Sequence, residues 1–385
     1  MYEMHGYLDR ACEKQLKKAL NSSPAIVLLG PRQCGKSTLV KHLIRETSSV
    51  YLDLQDRLDR NKLAEPEIFF EEHRDKLICL DEIQLLPEFF SVLRSEIDKD
   101  RRPGRFILLG SASRELIRQS NESLAGRVAQ IELTPFTSEE INFGEDYRKH
   151  WIRGGYPDSF LALDEEDSYY WRENFIRTFL ERDIPALGFD IPAPLFNRLW
   201  RVLAHYHGQT LNYSKVAEVV DLDVRTLKKY IYILEQTYMI RILEPMENNL
   251  KKRLVKSPKF YVRDSGIAHN LLDIESFDEL LSRPQLGASW EGYCIENIIN
   301  RYPRWRPSYL RTSNGAEIDL VLERGNKKVI FEFKSSKAPK PARGFYELIE
   351  IVKPAASWVI APVDEGYPYK NGIRVGNLNH LPEGL

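Results

Sequence analysis

The first clear pattern in the chain is the apolar run PAIVLL at 24–29, which has no polar face and stops at Gly30, as a strand buried on both sides of a parallel sheet would. Behind it, Leu39, Val40, Leu43 and Ile44 recur with helical spacing across 37–45. Apolar runs at 49–54, 76–80 and 105–109 alternate with polar, periodic stretches such as 89–98, the strand–helix–strand order of a βαβ sheet. Past Pro135 the strand signals fade. An aromatic stripe over 169–180 predicts a helix with its rings in a core, and 195–244 reads as helical throughout, with turns at 208–211 and 221–223. A helix at 289–300 then leads into strands at 308–311, 316–323 and 328–334. These patterns predict an α/β chain in three domains: a parallel-sheet domain with a helical lid over 1–190, a helical middle domain over 191–280 and a second α/β domain over 281–385.

Composition sets limits on this picture. At roughly 150 residues per domain, 385 residues leave room for two or three cores. With 43% hydrophobic and 29% charged residues, the chain does not resemble a disordered or fibrous protein. No apolar run reaches the roughly 18 residues of a membrane span, so a cytoplasmic protein with no membrane partner is expected. Cys12, Cys34, Cys79 and Cys294 share no CxxC spacing and are expected as free thiols. The net charge of −1 looks unsuited to nucleic acid, yet it sums opposites: −7 over 132–183, +6 over 225–259 and +7 over 300–344. The basic stretches keep DNA open as a partner.

Between the first predicted strand and helix, Gly30-Pro31-Arg32-Gln33-Cys34-Gly35-Lys36-Ser37 fits GxxxxGK[ST]. Loop amides and the helix N-terminus favour phosphate, so ATP is the expected cofactor, with Thr38 continuing the site. Lys36 is expected on the β and γ phosphates and the Ser37 hydroxyl on Mg²⁺. The strand LICL ends in Asp81 and Glu82, which a parallel sheet delivers to its carboxyl edge beside the phosphate loop. Asp81 is then a metal-shell residue and Glu82 the group that orients or deprotonates water. Ser111 ends a further buried strand, where it is placed to meet the γ phosphate or the water or simply to make a turn.

GPRQCGKSTL, LICLDEIQ, LLGSAS, ESLAGR and GGYP at Gly154 together resemble the AAA+ ATPases of bacteria and archaea that carry an uncharacterised C-terminal domain. The resemblance implies Arg127 of ESLAGR as an arginine finger completing a neighbour's site, and hence a homo-oligomer such as a hexameric ring. A surface salt bridge is the alternative for Arg127. Ser111 stands where many AAA+ proteins have asparagine.

Downstream, 213–220, a turn at 221–223 and 224–237 have the lengths of a helix-turn-helix. Ala217, Val220, Leu227, Ile231 and Leu234 would form its core, leaving Arg225, Thr226, Lys228 and Lys229 exposed on the second helix. The basic stretch 251–259, with Lys251, Lys252, Arg253 and Lys256, resembles the wing of a winged-helix domain. Such a surface binds DNA through its phosphates, with strong salt dependence.

In the last region, Glu317 and Asp319 share a strand face, and Glu332 and Lys334 repeat the alternation in FEFK. A turn at Gly325-Asn326 would pair the strands, giving three carboxylates and a lysine on one face, the composition of a Mg²⁺ or Mn²⁺ site. The D…ExK spacing resembles the PD-(D/E)xK, restriction-endonuclease-like fold, and Trp290-Glu291 resembles the leading helix glutamate of archaeal Holliday junction resolvases. The resemblance implies Asp319 and Glu332 as metal ligands, with Lys334 and Glu291 as further catalytic residues and Glu296 as a rival to Glu291. For the whole chain this predicts an ATP-hydrolysing ring that binds and remodels structured or branched DNA and cuts it. The alternative is an ATP-dependent switch that binds nucleic acid or a partner without cutting.

Overall fold

The computed structural model describes residues 7–111, 124–247 and 254–385. It divides into two compact units, Met1–Phe136 with Gln236–Tyr238, and Thr137–Glu235 with Met239–Leu385.

In the first unit, β1 (Ala25–Gly30), β2 (Ser49–Asp53), β3 (Leu77–Asp81), β4 (Phe106–Ser111) and β5 (Val128–Glu132) form a parallel sheet in the order β2-β3-β4-β1-β5. Every residue of β1 is buried because both faces are covered. Ala25, Val27 and Leu29 join one core with Phe106 and Leu108, while Ile26 and Leu28 join another with Leu39 and Val40 of the Lys36–Leu43 helix. Only Ile131 of β5 is buried, which is why this edge strand left no apolar run to read. Gly30 pairs with Ser111 and Asp53 with Asp81, so β1, β2, β3 and β4 all end on one edge.

The second unit absorbs the helices expected as a lid over 137–190. Tyr156, Phe175 and Phe179 share a core with Leu199, Trp200 and Leu203, so packing runs unbroken across residue 190. Gly154, the first residue of GGYP, has φ +78, and a Cβ there would fall 2.1 Å from Asp264 Oδ1. Asp264 also accepts from Gly155 N at 2.8 Å and from Ile267 N at 2.9 Å, capping the Ser265–Leu271 helix. The motif is therefore a turn built around a half-buried carboxylate.

The middle of this unit has helices Ala193–Ala204, Tyr213–Val220 and Val224–Gln236 beside an antiparallel sheet, β6 (Gln209–Thr210), β7 (Ile240–Leu243) and β8 (Lys259–Val262), in the order β6-β8-β7. Residues 240–243, expected as helix, are strand because Tyr238 turns the chain at φ +64 and IRIL pairs with β8. The C-terminal part begins with the Leu286–Arg301 helix, followed by β9 (Arg306–Arg311), β10 (Glu317–Arg324) and β11 (Lys327–Phe333). After the Arg343–Val352 helix come β12 (Ala356–Ile360), β13 (Tyr367–Pro368) and β14 (Ile373–Gly376). The sheet order is β13-β14-β12-β11-β10-β9, antiparallel from β9 to β11 and parallel from β11 through β12 to β14. The turn expected at 325–326 joins β10 to β11, with Arg324 opposite Lys327.

Two buried histidines tie the unit together. His269 Nδ1 meets Ile152 O at 3.1 Å and Nε2 meets Ser289 Oγ at 2.7 Å, while His207 Nδ1 accepts from Val262 N at 3.0 Å. Burial pushes both imidazoles down, His269 to about 3 and His207 to about 4. Unfolding restores the ordinary value of about 6.5, so each contributes stability that is present above that pH and is lost as pH falls toward the folded value. Urea unfolding is expected to give a stability that falls between pH 6.5 and 4.5 by up to about 1.4 kcal/mol per pH unit per histidine. His269→Gln should remove its share of that slope; an unchanged slope would contradict the assignment.

Among the described residues no helix is long and apolar enough to cross a membrane. None of the four cysteines is in a disulfide.

Candidate functional site

The phosphate loop runs from the end of β1 into the Lys36–Leu43 helix. Gly30 is required there: an added Cβ would meet Leu133 O at 2.1 Å. Gly35 takes φ +97 at the helix N-cap, and Gln33 takes φ +61. Pro31 and Cys34 are buried, Arg32 half-buried and Thr38 exposed. Cys34 Sγ donates to Leu133 O at 3.3 Å. Arg10, which the sequence patterns did not single out, donates from Nη1 to Cys34 O at 2.9 Å and from Nη2 to Thr134 O at 2.5 Å, pinning the loop from behind. Lys36 Nζ is buried and donates to Gly30 O at 3.1 Å and Pro31 O at 2.7 Å.

Asp81, at the end of β3, reaches this loop. Ser37 Oγ donates to Asp81 Oδ2 at 2.5 Å, and the Tyr51 hydroxyl on β2 donates to the same oxygen. Burial and the Asp81 carboxylate push the Tyr51 hydroxyl far above its ordinary value, keeping it a donor. Asp81 Oδ1 accepts from Glu82 N at 2.9 Å. A hydroxyl and a carboxylate in direct contact are an all-oxygen donor pair that suits Mg²⁺. Glu82 sits at φ +58 and accepts from Gln55 Nε2 at 3.4 Å and from Gln84 Nε2. Left-handed backbone at a glutamate is uncommon and turns its carboxylate away from the path of the strand.

Ser111 pairs with Gly30 at the end of β4, beside the loop. Arg127 forms a two-pronged pair with Asp98 of its own chain, Nε to Oδ1 at 2.9 Å and Nη2 to Oδ2 at 2.7 Å, with Nη1 on Ala125 O. This is the salt bridge weighed against the finger role.

In the second unit the expected face of three carboxylates and one lysine makes two sets of ion pairs, although Asp319 adds to the burial that pushes the Glu332 carboxyl up. Glu332 Oε1 takes Lys334 Nζ at 2.7 Å and Ala342 N at 3.0 Å. Glu317 and Asp319 instead face Glu291 from the Leu286–Arg301 helix, and between them lies Lys259 of β8. Its ammonium is 2.8 Å from Glu291 Oε1, 2.5 Å from Glu317 Oε1 and 3.7 Å from Asp319 Oδ1. Burial, then the neighbouring Glu291 carboxylate, push Asp319 up to about 7, against the pull of Lys259. Lys259 closes the basic stretch 251–259, yet its side chain is 2% exposed. Glu296, the rival helix acid, is spent on Arg241 and on Arg263, whose Nε lies 3.0 Å away. Among the described residues, no group of three or more His, Cys, Asp or Glu side chains is arranged to hold a metal ion. The residues present therefore do not fit the divalent site that the D…ExK spacing implied.

The basic face is partly as read. Asp223 caps the Val224–Gln236 helix, accepting from Arg225 N at 2.9 Å and Thr226 N at 3.0 Å. Arg225, Lys228, Lys229 and Lys256 are exposed. The Thr226 hydroxyl is engaged by Asp223 at 2.6 Å, and Lys228 Nζ lies 5.1 Å above the Tyr213 ring. Lys251, Lys252 and Arg253 lie outside the described residues.

A five-stranded parallel sheet with this loop and this acidic strand end define an AAA-type phosphate-loop ATPase domain, and residues 22–142 match the family described as AAA domain. Residues 144–278 and 286–381 match two families described as domains of unknown function, DUF8612 and DUF4143. Two curated relatives, the uncharacterized proteins Rv2008c of Mycobacterium tuberculosis and Mb2031c of Mycobacterium bovis, are each 36% identical over 364 residues, covering 94% of this chain and 82% of theirs. The chain belongs to the same family as these mycobacterial proteins. Among solved structures it is similar to the Walker-type ATPase PABY2304 of Pyrococcus abyssi, at 16% identity and a TM-score of 0.49 over 69% of this chain and 96% of that one.

Proposed function

We propose that the protein is an ATP-hydrolysing switch whose second unit binds nucleic acid without cutting it. For the ATP half, Lys36 would leave the loop carbonyls to pair with the β and γ phosphates, and the amides of 33–37 would cradle them. Ser37 and Asp81 would hold Mg²⁺, which supplies charge neutralisation when bound. Glu82, steadied by Gln55 and Gln84, would orient the attacking water. Ring assembly belongs to this reading: Arg127 would exchange Asp98 for a neighbour's phosphates.

The observation that carries the nucleic-acid half is the exposed basic start of the Val224–Gln236 helix, held by the Asp223 cap. The order helix, strand, two helices, two strands around it supports a winged-helix reading. The C-terminal helix, three antiparallel strands, helix and parallel strand support a nuclease-like scaffold, while Lys259 in its acid cluster favours binding over cleavage.

The test is fluorescence anisotropy of labelled forked and duplex DNA over a salt series, with and without ATP. Wild type is expected to show a steep salt slope. Arg225→Ala with Lys229→Ala should flatten log K against log salt by about 1.8, two phosphate contacts' worth. Binding indifferent to salt, or unchanged in the variant, would contradict the reading.

A further inference from the structure

The acid cluster of the second unit already contains a cation. We infer that Lys259 occupies, as a permanent part of the fold, the place a divalent metal would take among Glu291, Glu317 and Asp319, and that its removal converts the cluster into a metal site.

Three observations carry this. The first is position: the ammonium lies 2.5 to 3.7 Å from an oxygen of each of the three acids, which arrive from the Leu286–Arg301 helix and from β10. A metal bound by those oxygens at about 2.0–2.6 Å and an ammonium cannot share that volume. The second is the donor bookkeeping around the cluster. Glu291 Oε1 also accepts from the Tyr261 hydroxyl at 2.6 Å, Asp319 Oδ2 accepts from Phe333 N at 3.0 Å, and Arg311 Nη1 stands 3.6 Å from Glu317 Oε2. Every acid has a donor or cation from the protein itself.

The third is the anchorage of Lys259. It lies on β8, the central strand of its sheet, opposite Leu243 of β7 on one side and Thr210 of β6 on the other. All four residues of β8 are buried, and the Lys259 ammonium lies 5.5 Å from the Tyr309 ring centroid. A flexible surface lysine moves aside for a metal at little cost. This one is 2% exposed, hangs from the central strand of its sheet, and could yield its place only by breaking its contacts with three carboxylates at once.

Three carboxylates around one buried ammonium are also why removing the lysine should create a new metal-binding site. The oxygens remain, the hard donors that Mg²⁺ and Mn²⁺ prefer, and the net negative charge increases by one. The inference concerns occupancy of this cluster alone and stands whether or not the basic helix binds nucleic acid.

The experiment is a Mn²⁺ titration of the nucleotide-free full chain, followed by the electron paramagnetic resonance signal of free Mn²⁺. Wild type and Asp319→Asn are expected to give superimposable isotherms, because the cluster takes no metal in either. Lys259→Ala should bind one further equivalent at least 10-fold more tightly than any site of wild type, and Lys259→Ala with Asp319→Asn should lose it. A wild-type equivalent abolished by Asp319→Asn would overturn the inference, and with it the non-cutting reading. A folded Lys259→Ala chain with no added equivalent would overturn the inference while leaving the non-cutting reading intact. Should Lys259→Ala fail to fold, the comparison of wild type with Asp319→Asn still decides whether metal and lysine coexist.

Discussion

Lys36→Ala is expected to lower ATP turnover by at least about 10²- to 10³-fold, the effect of deleting a preorganised charged donor from a site where transition-state charge develops. The side chain is already gathered beneath the loop on Gly30 O and Pro31 O, so the loop has its lysine in reserve, and the step to phosphate exchanges two carbonyl acceptors for anionic ones. Alanine leaves those carbonyls without this donor, a modest structural cost compared with the catalytic one. Phosphate release by the full chain with Mg²⁺ and ATP measures the first, and thermal melting measures the second. Turnover within threefold of wild type, in a chain that melts normally, would place hydrolysis elsewhere.

Lys259→Met is the substitution expected to cost most in stability, about 3–5 kcal/mol, since it removes one partner of a buried ion cluster and leaves the others uncompensated. Methionine keeps most of the apolar stem, so lost packing contributes little to the difference. The size comes from Glu291, Glu317 and Asp319 facing one another without their shared ammonium, with Arg311 Nη1 3.6 Å from Glu317. Protonation offers a partial escape. Asp319, pushed up to about 7 even against the pull of Lys259, rises further without it, so the variant should be least stable in alkaline solution and recover as pH falls through neutrality. Adding Glu291→Gln to Lys259→Met should restore part of the loss, a coupling readable by a double-mutant cycle in urea. A Lys259→Met chain within 1 kcal/mol of wild type would mean the cluster is solvated and its charges screened.

The first unit was legible in sequence because its three central strands are buried on both faces and a loop motif sits at the one edge where four of its strands end. Local pattern and long-range position agree there. Tyr51 escaped notice for the opposite reason: nothing in SVYLD marks a tyrosine two residues before a strand end, and only the parallel register of β2 with β3 aims its hydroxyl at Asp81. Lys259 was misread because a lysine between basic neighbours looks solvated, and its burial depends on acids 32 to 60 residues further on. The helix acid shows the same limit. Glu291 and Glu296 are equivalent as sequence, and it takes the positions of Lys259 and of Arg241 with Arg263 to tell them apart.

The place of Lys259 has a consequence for how the second unit divides. The family matches draw a line between residues 278 and 286, but the cation on β8 and the acids at 291, 317 and 319 lie on opposite sides of it. A fragment begun at that line would carry away the anions and leave their counter-ion behind. The ion cluster joins what the family matches separate, so the two halves are expected to melt as a single unit.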